Sequence, residues 1–99
     1  MPRPNHPKVD VIKLPESLTQ ATATLCLNEL GNALSAQPAA VVVDASALNR
    51  FDSSALAVLL ALRRQAAQLG KSFTVEGLPQ RLGDLARLYG IAALLGFRA

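Results

Sequence analysis

The residues best placed to do chemistry in this sequence are three consecutive polar ones, Asp52, Ser53 and Ser54. They stand where an apolar helical pattern begins, so Asp52 or Ser53 can cap the free N–H groups of the first turn. A phosphate on Ser53 would add about −1.5 to −2 charges, which the helix dipole tolerates and the neighbouring Asp52 carboxylate does not. We therefore interpret this step either as a simple helix cap or as a phosphorylatable, partner-read switch centred on Ser53.

The rest of the sequence provides little for catalysis. The only histidine, His6, lies in a Pro-rich segment, where it is poorly placed for a Ser-His-Asp arrangement. There is no Gly-rich phosphate loop, no Cys-His ligand set and no pair of carboxylates at helical spacing. We predict no catalytic residue, no metal site and no cofactor, and hence no enzyme. The single cysteine, Cys26, is interpreted as a small buried hydrophobic residue in a reducing compartment.

The elements on either side of the Asp-Ser-Ser step are a strand and a helix. Val41, Val42 and Val43 form a continuous apolar run, which is typical of a strand covered on both faces. The helix runs from the step to Leu69, and Gly70 is suited to end it. The step therefore lies between a buried strand and a long helix.

The two sides of this helix differ in character. At 100° per residue, one stripe should pack on the sheet, and it contains Ala55, Val58, Leu59, Leu62, Ala66 and Leu69. The other side carries Leu56, Ala57, Leu60 and Ala67 beside two arginines, and exposed apolar surface next to cations is typical of a docking surface. The alternative is that another element of the chain covers these leucines. The residues predicted to bind a partner are Asp52, Ser53, Ser54, Leu56, Ala57, Leu60, Arg63 and Arg64.

The remaining pattern predicts a single α/β domain. Three prolines mark residues 1–7 as a flexible tail, and residues 8–99 form the domain. Apolar periodicity predicts a strand over 8–14, a helix over 19–36, a strand over 71–76, a helix from Pro79 to Gly90 and an apolar tail over 91–97. The order β-α-β-α-β-α, with right-handed crossovers, predicts a small, mostly parallel sheet with helices packed on it.

Composition narrows the range of partners. Ten basic residues against seven acidic ones give a net charge of +3, but they are spread along the chain, so no nucleic-acid surface is indicated. No apolar run approaches the roughly 20 residues that a membrane-spanning helix needs. We expect a soluble, cytoplasmic protein that meets a membrane only through its partners.

The residues Phe51–Leu62, FDSSALAVLLAL, resemble the central motif of STAS domains, which are named after sulfate transporters and anti-sigma-factor antagonists. The resemblance extends from about Val9 to Phe97 and implies the same α/β fold. STAS domains usually open with two paired strands, whereas this sequence has room for only one convincing opening strand.

Two branches of this family are similar to the sequence. The small STAS subunit of Mla-type phospholipid-transport ABC complexes has a similar step, a leucine-rich helix and an LAxLY segment, matched here by LARLY at Leu85–Tyr89. That resemblance implies an accessory subunit that binds the ABC ATPase through the surface from Ser53 to Arg64. In anti-sigma-factor antagonists, a partner kinase phosphorylates the serine that follows the aspartate, which corresponds to Ser53. The first reading is preferred, and the second is its alternative.

Overall fold

A three-stranded parallel sheet forms the centre of the chain in the computed structural model, which describes residues 11–37 and 39–95. In chain order the elements are β1 (Val11–Lys13), β2 (Ser17–Leu18), α1 (Ala23–Ser35), β3 (Ala40–Asp44), β4 (Arg50–Phe51), α2 (Ser54–Gln68), β5 (Ser72–Glu76), α3 (Gln80–Leu88) and α4 (Ala92–Leu95). The strand order is β1-β3-β5, and Val43 pairs with Ile12 on one side and Val75 on the other. The predicted α/β class with a mostly parallel sheet is confirmed. The predicted tail over residues 1–7 lies outside the described residues.

The core forms on one face of the sheet. Val41 and Val43 of β3 are buried, whereas Val42 between them is half-buried. The valine run was expected to be covered on both faces, but only one face is completely closed. The largest fully buried side chains are Leu18, Leu34, Leu59, Leu62, Leu82, Val41, Val43 and Val75. Their burial is the main source of stability, since each removes a large apolar surface from water.

A second, smaller sheet was not predicted. β2 and β4 pair in parallel, with Ser17 opposite Arg50 and Leu18 opposite Phe51. The carbonyl of Glu16 accepts two further bonds, from the N–H groups of Asn49 and Arg50, at 2.8 and 2.9 Å. Strands of two residues are too short to show an alternating pattern, which is why periodicity missed them. Within the described residues, the segment after β1 thus pairs with the segment before α2 rather than with β1.

α2 and α3 end at the glycines predicted to end them, whereas α1 begins later than predicted. Gly70 and Gly90 have φ values of 72° and 73° and end α2 and α3. After α2, the N–H of Lys71 donates to the Ala66 carbonyl at 2.8 Å, which completes a glycine-based C-terminal motif. α1 begins at Ala23 rather than residue 19, because the Thr22 hydroxyl accepts the Thr19 N–H at 3.2 Å and holds a turn there.

Three apolar residues predicted to be buried lie at helix ends and are exposed. Leu69, assigned to the core stripe of α2, is 49% exposed because it follows the last residue of the helix. The core stripe of α3 was expected to contain Leu82, Leu85 and either Leu88 or Tyr89. Leu82 is buried and Leu85 is half-buried against the core, but Leu88 and Tyr89 are 77% and 55% exposed. Gly83 and Ala86 complete the buried side of α3. Cys26, expected to be fully buried, is half-buried against the core.

Lys71 fastens the end of α1 to the start of β5. Its Nζ donates to the carbonyl oxygens of Leu34 and Ser35, both at 3.1 Å, and to that of Gln37. A cation bonded to the last carbonyls of a helix satisfies groups that lack helical partners and complements the dipole.

We expect Lys71→Met to lower the free energy of unfolding by about 1 kcal/mol, because the carbonyls of Ser35 and Gln37 lose this donor and that of Leu34 keeps only backbone N–H donors. The matched control is Lys13→Met, which removes the same side chain from an exposed position on β1. Thermal unfolding followed by circular dichroism measures both variants. Equal midpoints for the two would contradict a capping role for Lys71.

Candidate functional site

Asp52 joins two segments that are 32 residues apart in the chain. Its Oδ1 accepts the N–H of Ser54 at 2.8 Å, and its Oδ2 accepts the N–H of Gln20 at 3.1 Å. The first bond satisfies a free donor at the start of α2, and the second fixes the turn that precedes α1. Asp52 is thus the capping group, which the sequence had left open between Asp52 and Ser53.

Ser53 occupies the N-cap position without acting as the cap. Its backbone is already helical, with φ −64° and ψ −14°, and its side chain makes no capping hydrogen bond. The residue is exposed. The hydroxyl of Ser53 is therefore available at the surface, and the start of α2 does not depend on it.

The two N–H donors also stabilise the charged form of Asp52. The N–H of Gln20 and then that of Ser54 lower the pKa of the Asp52 carboxyl below its ordinary value of 3.8. A lowered pKa means that the folded state favours the carboxylate. This contribution to stability is present above pH 3.8 and is lost as the pH falls through the lower pKa of the folded state. At neutral pH the carboxylate therefore holds both segments.

One face of α2, which begins at the Asp-Ser-Ser step, is mostly exposed to solvent. Ser53, Ala57, Leu60 and Arg64 follow one another at intervals of four, three and four residues, so their side chains lie in one line. Ser53, Ala57 and Arg64 are exposed, and Leu60 is half-buried against the core. We call these four residues the α2 stripe. Arg63, also exposed, lies at its edge.

The prediction that Leu56 is exposed on this surface is wrong. Leu56 is only 2% exposed and belongs to the hydrophobic core. The reason is that α2 packs against three elements, α1, β5 and α4, so the buried part of its circumference is wider than a single stripe. The alternative of coverage by the same chain therefore holds for Leu56. Ser54 is half-buried.

A shallow groove runs between α1 and α2 beside the stripe. One part has a volume of about 140 Å³ and is lined by Ala23, Thr24, Leu27, Ala57 and Val58. The next part, of about 300 Å³, is more polar and is lined by Leu27, Asn28, Gly31, Asn32, Ala61 and Gln65. The contribution of α1 was not predicted, although the small residues on both helices were a signal for close approach.

The two helices are fastened to each other at the polar end of this groove. The Gln65 side-chain amide donates to the Gly31 carbonyl at 2.9 Å and to the Ser35 hydroxyl at 3.2 Å. A Cβ on Gly31 would lie 2.9 Å from the Gln65 side-chain oxygen, so the glycine allows this close approach. These bonds hold α1 and α2 close together at this end of the groove.

Arg81 lies near the Asp-Ser-Ser step and was not predicted to belong to this surface. It lies in the first turn of α3, and its guanidinium carbon is 5.6 Å from the centre of the Phe51 ring. Phe51 directly precedes Asp52. Phe51 and Arg81 are thirty positions apart in the chain, and the sequence between them contains no pattern that predicts this contact.

The part of the chain that the structure describes contains neither a candidate metal site nor a membrane-spanning helix. Among residues 11–37 and 39–95 there is no group of three or more His, Cys, Asp or Glu that could hold a metal ion. No helix among them is long and apolar enough to cross a membrane. His6 lies outside the described residues.

We expect Asp52→Ala to loosen the turn before α1 as well as the start of α2. The test is amide hydrogen exchange at Gln20 and Ser54, both of which should exchange faster than in the wild type. Asp52→Asn is the matched variant, because its single acceptor oxygen can keep only one of the two bonds. Unchanged protection of Gln20 in Asp52→Ala would show that the 3.1 Å bond has no role in solution.

The comparisons with known proteins concern the family. A protein-family model described as "Mlab, STAS domain" matches residues 3–96, which is almost the whole chain. No curated protein matches the sequence. STAS domains are generally non-catalytic interaction domains, and the small α/β fold agrees with that class. The chain belongs to the STAS domain family.

Proposed function

We propose that this protein is a non-enzymatic subunit that binds and supports the ATPase of a phospholipid-transport ABC complex of the Mla type. The observation that carries the proposal is the α2 stripe, in which Ser53, Ala57 and Arg64 are exposed in one line. The description "Mlab" of the matching family model points to the same class of complex. In this role the protein acts in the cytoplasm and approaches the membrane only through its partners.

Each residue of this surface has a physical role in such a contact. Asp52 holds the start of α2 in place through its bonds to Gln20 and Ser54. Ala57 is small, so the backbone of a partner can come close to α2 at that point. Arg63 and Arg64 provide guanidinium groups that bind carboxylates with two parallel hydrogen bonds.

The support given to the ATPase follows from mass action. A subunit that binds only the folded, assembled ATPase shifts the population towards that state without performing any reaction. The residues of the α2 stripe contain no acid–base pair and no ligand set, so their contribution is contact area and charge. The transported lipid is handled by other subunits.

The alternative function is that of an anti-sigma-factor antagonist regulated by phosphorylation of Ser53. One observation favours it. Ser53 is exposed and its hydroxyl makes no capping bond, so a phosphate could be added without removing a structural contact. The added charge would stand next to the Asp52 carboxylate and would face any partner docked on α2.

We expect Ala57→Glu to abolish binding to the ATPase subunit and to leave the fold intact. Ala57 is exposed, so the new charge is solvated in the free protein and loses water only when the partner docks. Binding is measured by titration calorimetry with the ATPase–permease complex of the same cell in detergent. Leu60→Asp should have the same effect on binding, with some loss of stability, because Leu60 also touches the core.

The matched control is Ala33→Glu, an identical change at an exposed position on α1. On the helical wheel Ala33 lies away from the groove that α1 shares with α2, so this variant should bind like the wild type. Similar affinities for Ala57→Glu and the wild type would remove the α2 stripe as the binding surface. Circular dichroism of each variant shows whether a loss of binding comes from unfolding.

We expect Ser53→Asp to weaken docking more than Ser54→Ala, because only the first introduces charge at the end of the stripe. The same calorimetric titration measures both variants. Mass spectrometry of protein isolated from its own cells then tests the alternative function. A phosphate on Ser53 together with a bound serine kinase would favour the antagonist. Equal binding by Ser53→Asp and the wild type would exclude a switch at Ser53.

A further inference from the structure

Arg81 lies against the Phe51 ring, next to the Asp-Ser-Ser step, and has no carboxylate partner among the described residues. Its guanidinium carbon lies 5.6 Å from the centre of the Phe51 ring, within the range of a cation–π contact. Among the residues that the structure describes, no carboxylate oxygen lies within ion-pair distance of Arg81. The residue is exposed. An aromatic ring, rather than an opposite charge, therefore orients this arginine.

The one carboxylate on α3 is used by another arginine. Asp84 lies three residues after Arg81 and three before Arg87, so either guanidinium is at a suitable helical spacing. Asp84 Oδ1 accepts a hydrogen bond from Arg87 at 2.9 Å. The positive charge of Arg81 is thus left for a group outside α3.

Stacking on an aromatic ring prepares an arginine for binding. A ring over one face of a guanidinium leaves the N–H donors, which lie in the guanidinium plane, available to a carboxylate. Because the contact with the ring restricts the side chain, binding costs less conformational entropy than it would for an arginine without such a contact. Arg81 can therefore bind a planar carboxylate with little rearrangement.

The charges around the α2 stripe define the complementary surface. α2 carries Arg63 and Arg64 and no acidic residue. Asp52, at the other end, is a hydrogen-bond acceptor for two backbone N–H groups of its own chain. The exposed carboxylates of this region, Asp52 and Asp84, are already hydrogen-bonded within the chain, whereas Arg63, Arg64 and Arg81 make no ion pair among the described residues. A partner that pairs with these arginines therefore carries acidic side chains.

We propose that the binding surface extends from the α2 stripe across Phe51 to Arg81, and that it takes an acidic patch on the partner ATPase, with one partner carboxylate bound to Arg81. This inference rests on the proposed function, since it names the chemistry of the same partner. It also makes Arg81 a residue that determines which partner is accepted.

The test compares Arg81→Met with Arg87→Met, which removes the same charge from the same helix six residues further along. The probe is the purified ATPase–permease complex in detergent, and affinity is measured by biolayer interferometry at low and high NaCl. Arg81→Met should weaken binding at low salt about tenfold and reduce the salt dependence, as expected for a lost charge-assisted contact. Arg87→Met should stay within about twofold of the wild type, because an exposed intrahelical pair contributes little.

A purely structural role for the Arg81–Phe51 contact predicts a different pattern. In that case Arg81→Met would lower the midpoint of thermal unfolding and leave the salt dependence of binding unchanged. Arg81→Lys keeps the charge but not the planar donors, so it should recover the salt dependence and only part of the affinity.

Three results would overturn the inference. Equal affinity for Arg81→Met and the wild type would remove Arg81 from the surface and leave the proposed function standing. No binding of the wild type to the ATPase complex would overturn the proposed function and this inference with it. Binding of the wild type to anionic phospholipid vesicles, lost in Arg81→Met, without binding to the ATPase would assign the cationic surface to a membrane.

Discussion

The parallel pairing of β3 with both β1 and β5 is the constraint on which the rest of this structure depends. Parallel strands end at the same edge of a sheet, so the segments that leave them start close together. Here the N–H of Leu14 donates to the Asp44 carbonyl, and that of Ala45 donates to the Glu76 carbonyl, at 2.9 and 2.8 Å. This edge therefore collects the turn before α1, the step before α2 and the start of α3. The contacts around the Asp-Ser-Ser step, Asp52 with Gln20 and Phe51 with Arg81, join those three segments.

Apolar burial and polar hydrogen bonds stabilise different parts of the molecule. The core is apolar, with no buried polar or charged residue among those described, and its burial supplies most of the stability. The edge is held by side chains of a different kind. Asp44 accepts the N–H of Ser46 at 2.9 Å, and bonds to Ser46 lower the pKa of its carboxyl. Gly77 has a φ of 70°, and its backbone passes close to Ser46. A Cβ at position 77 would lie 2.9 Å from the Cβ of Ser46. The loops at the site are thus ordered by local geometry rather than by burial.

The sequence predicted the longer helices and the strands of the main sheet well, because these elements carry strong local patterns. The β3 valines, the helix that follows the Asp-Ser-Ser step and the glycines at residues 70 and 90 all gave strong local signals. The predictions that were wrong or missing concern residues whose surroundings depend on contacts distant in the sequence. Leu56 is buried because three other elements pack around α2, and no single-helix pattern reveals how wide the buried side becomes. The Asp52–Gln20 bond and the Arg81–Phe51 contact join positions about thirty residues apart, which only the folded sheet brings together.

Asp52 and Ser53 are adjacent, but only the Asp52 side chain makes hydrogen bonds that hold the backbone of the step. Asp52 holds two segments through its carboxylate, so a change there alters the backbone around the site. Ser53 makes no capping bond and is exposed, so a contact at its hydroxyl breaks no capping hydrogen bond at the start of α2. A surface that must respond to a partner or to a modifying enzyme needs this separation, because the group that senses must be free while its position stays fixed. The fold provides both through one carboxylate placed directly before the serine.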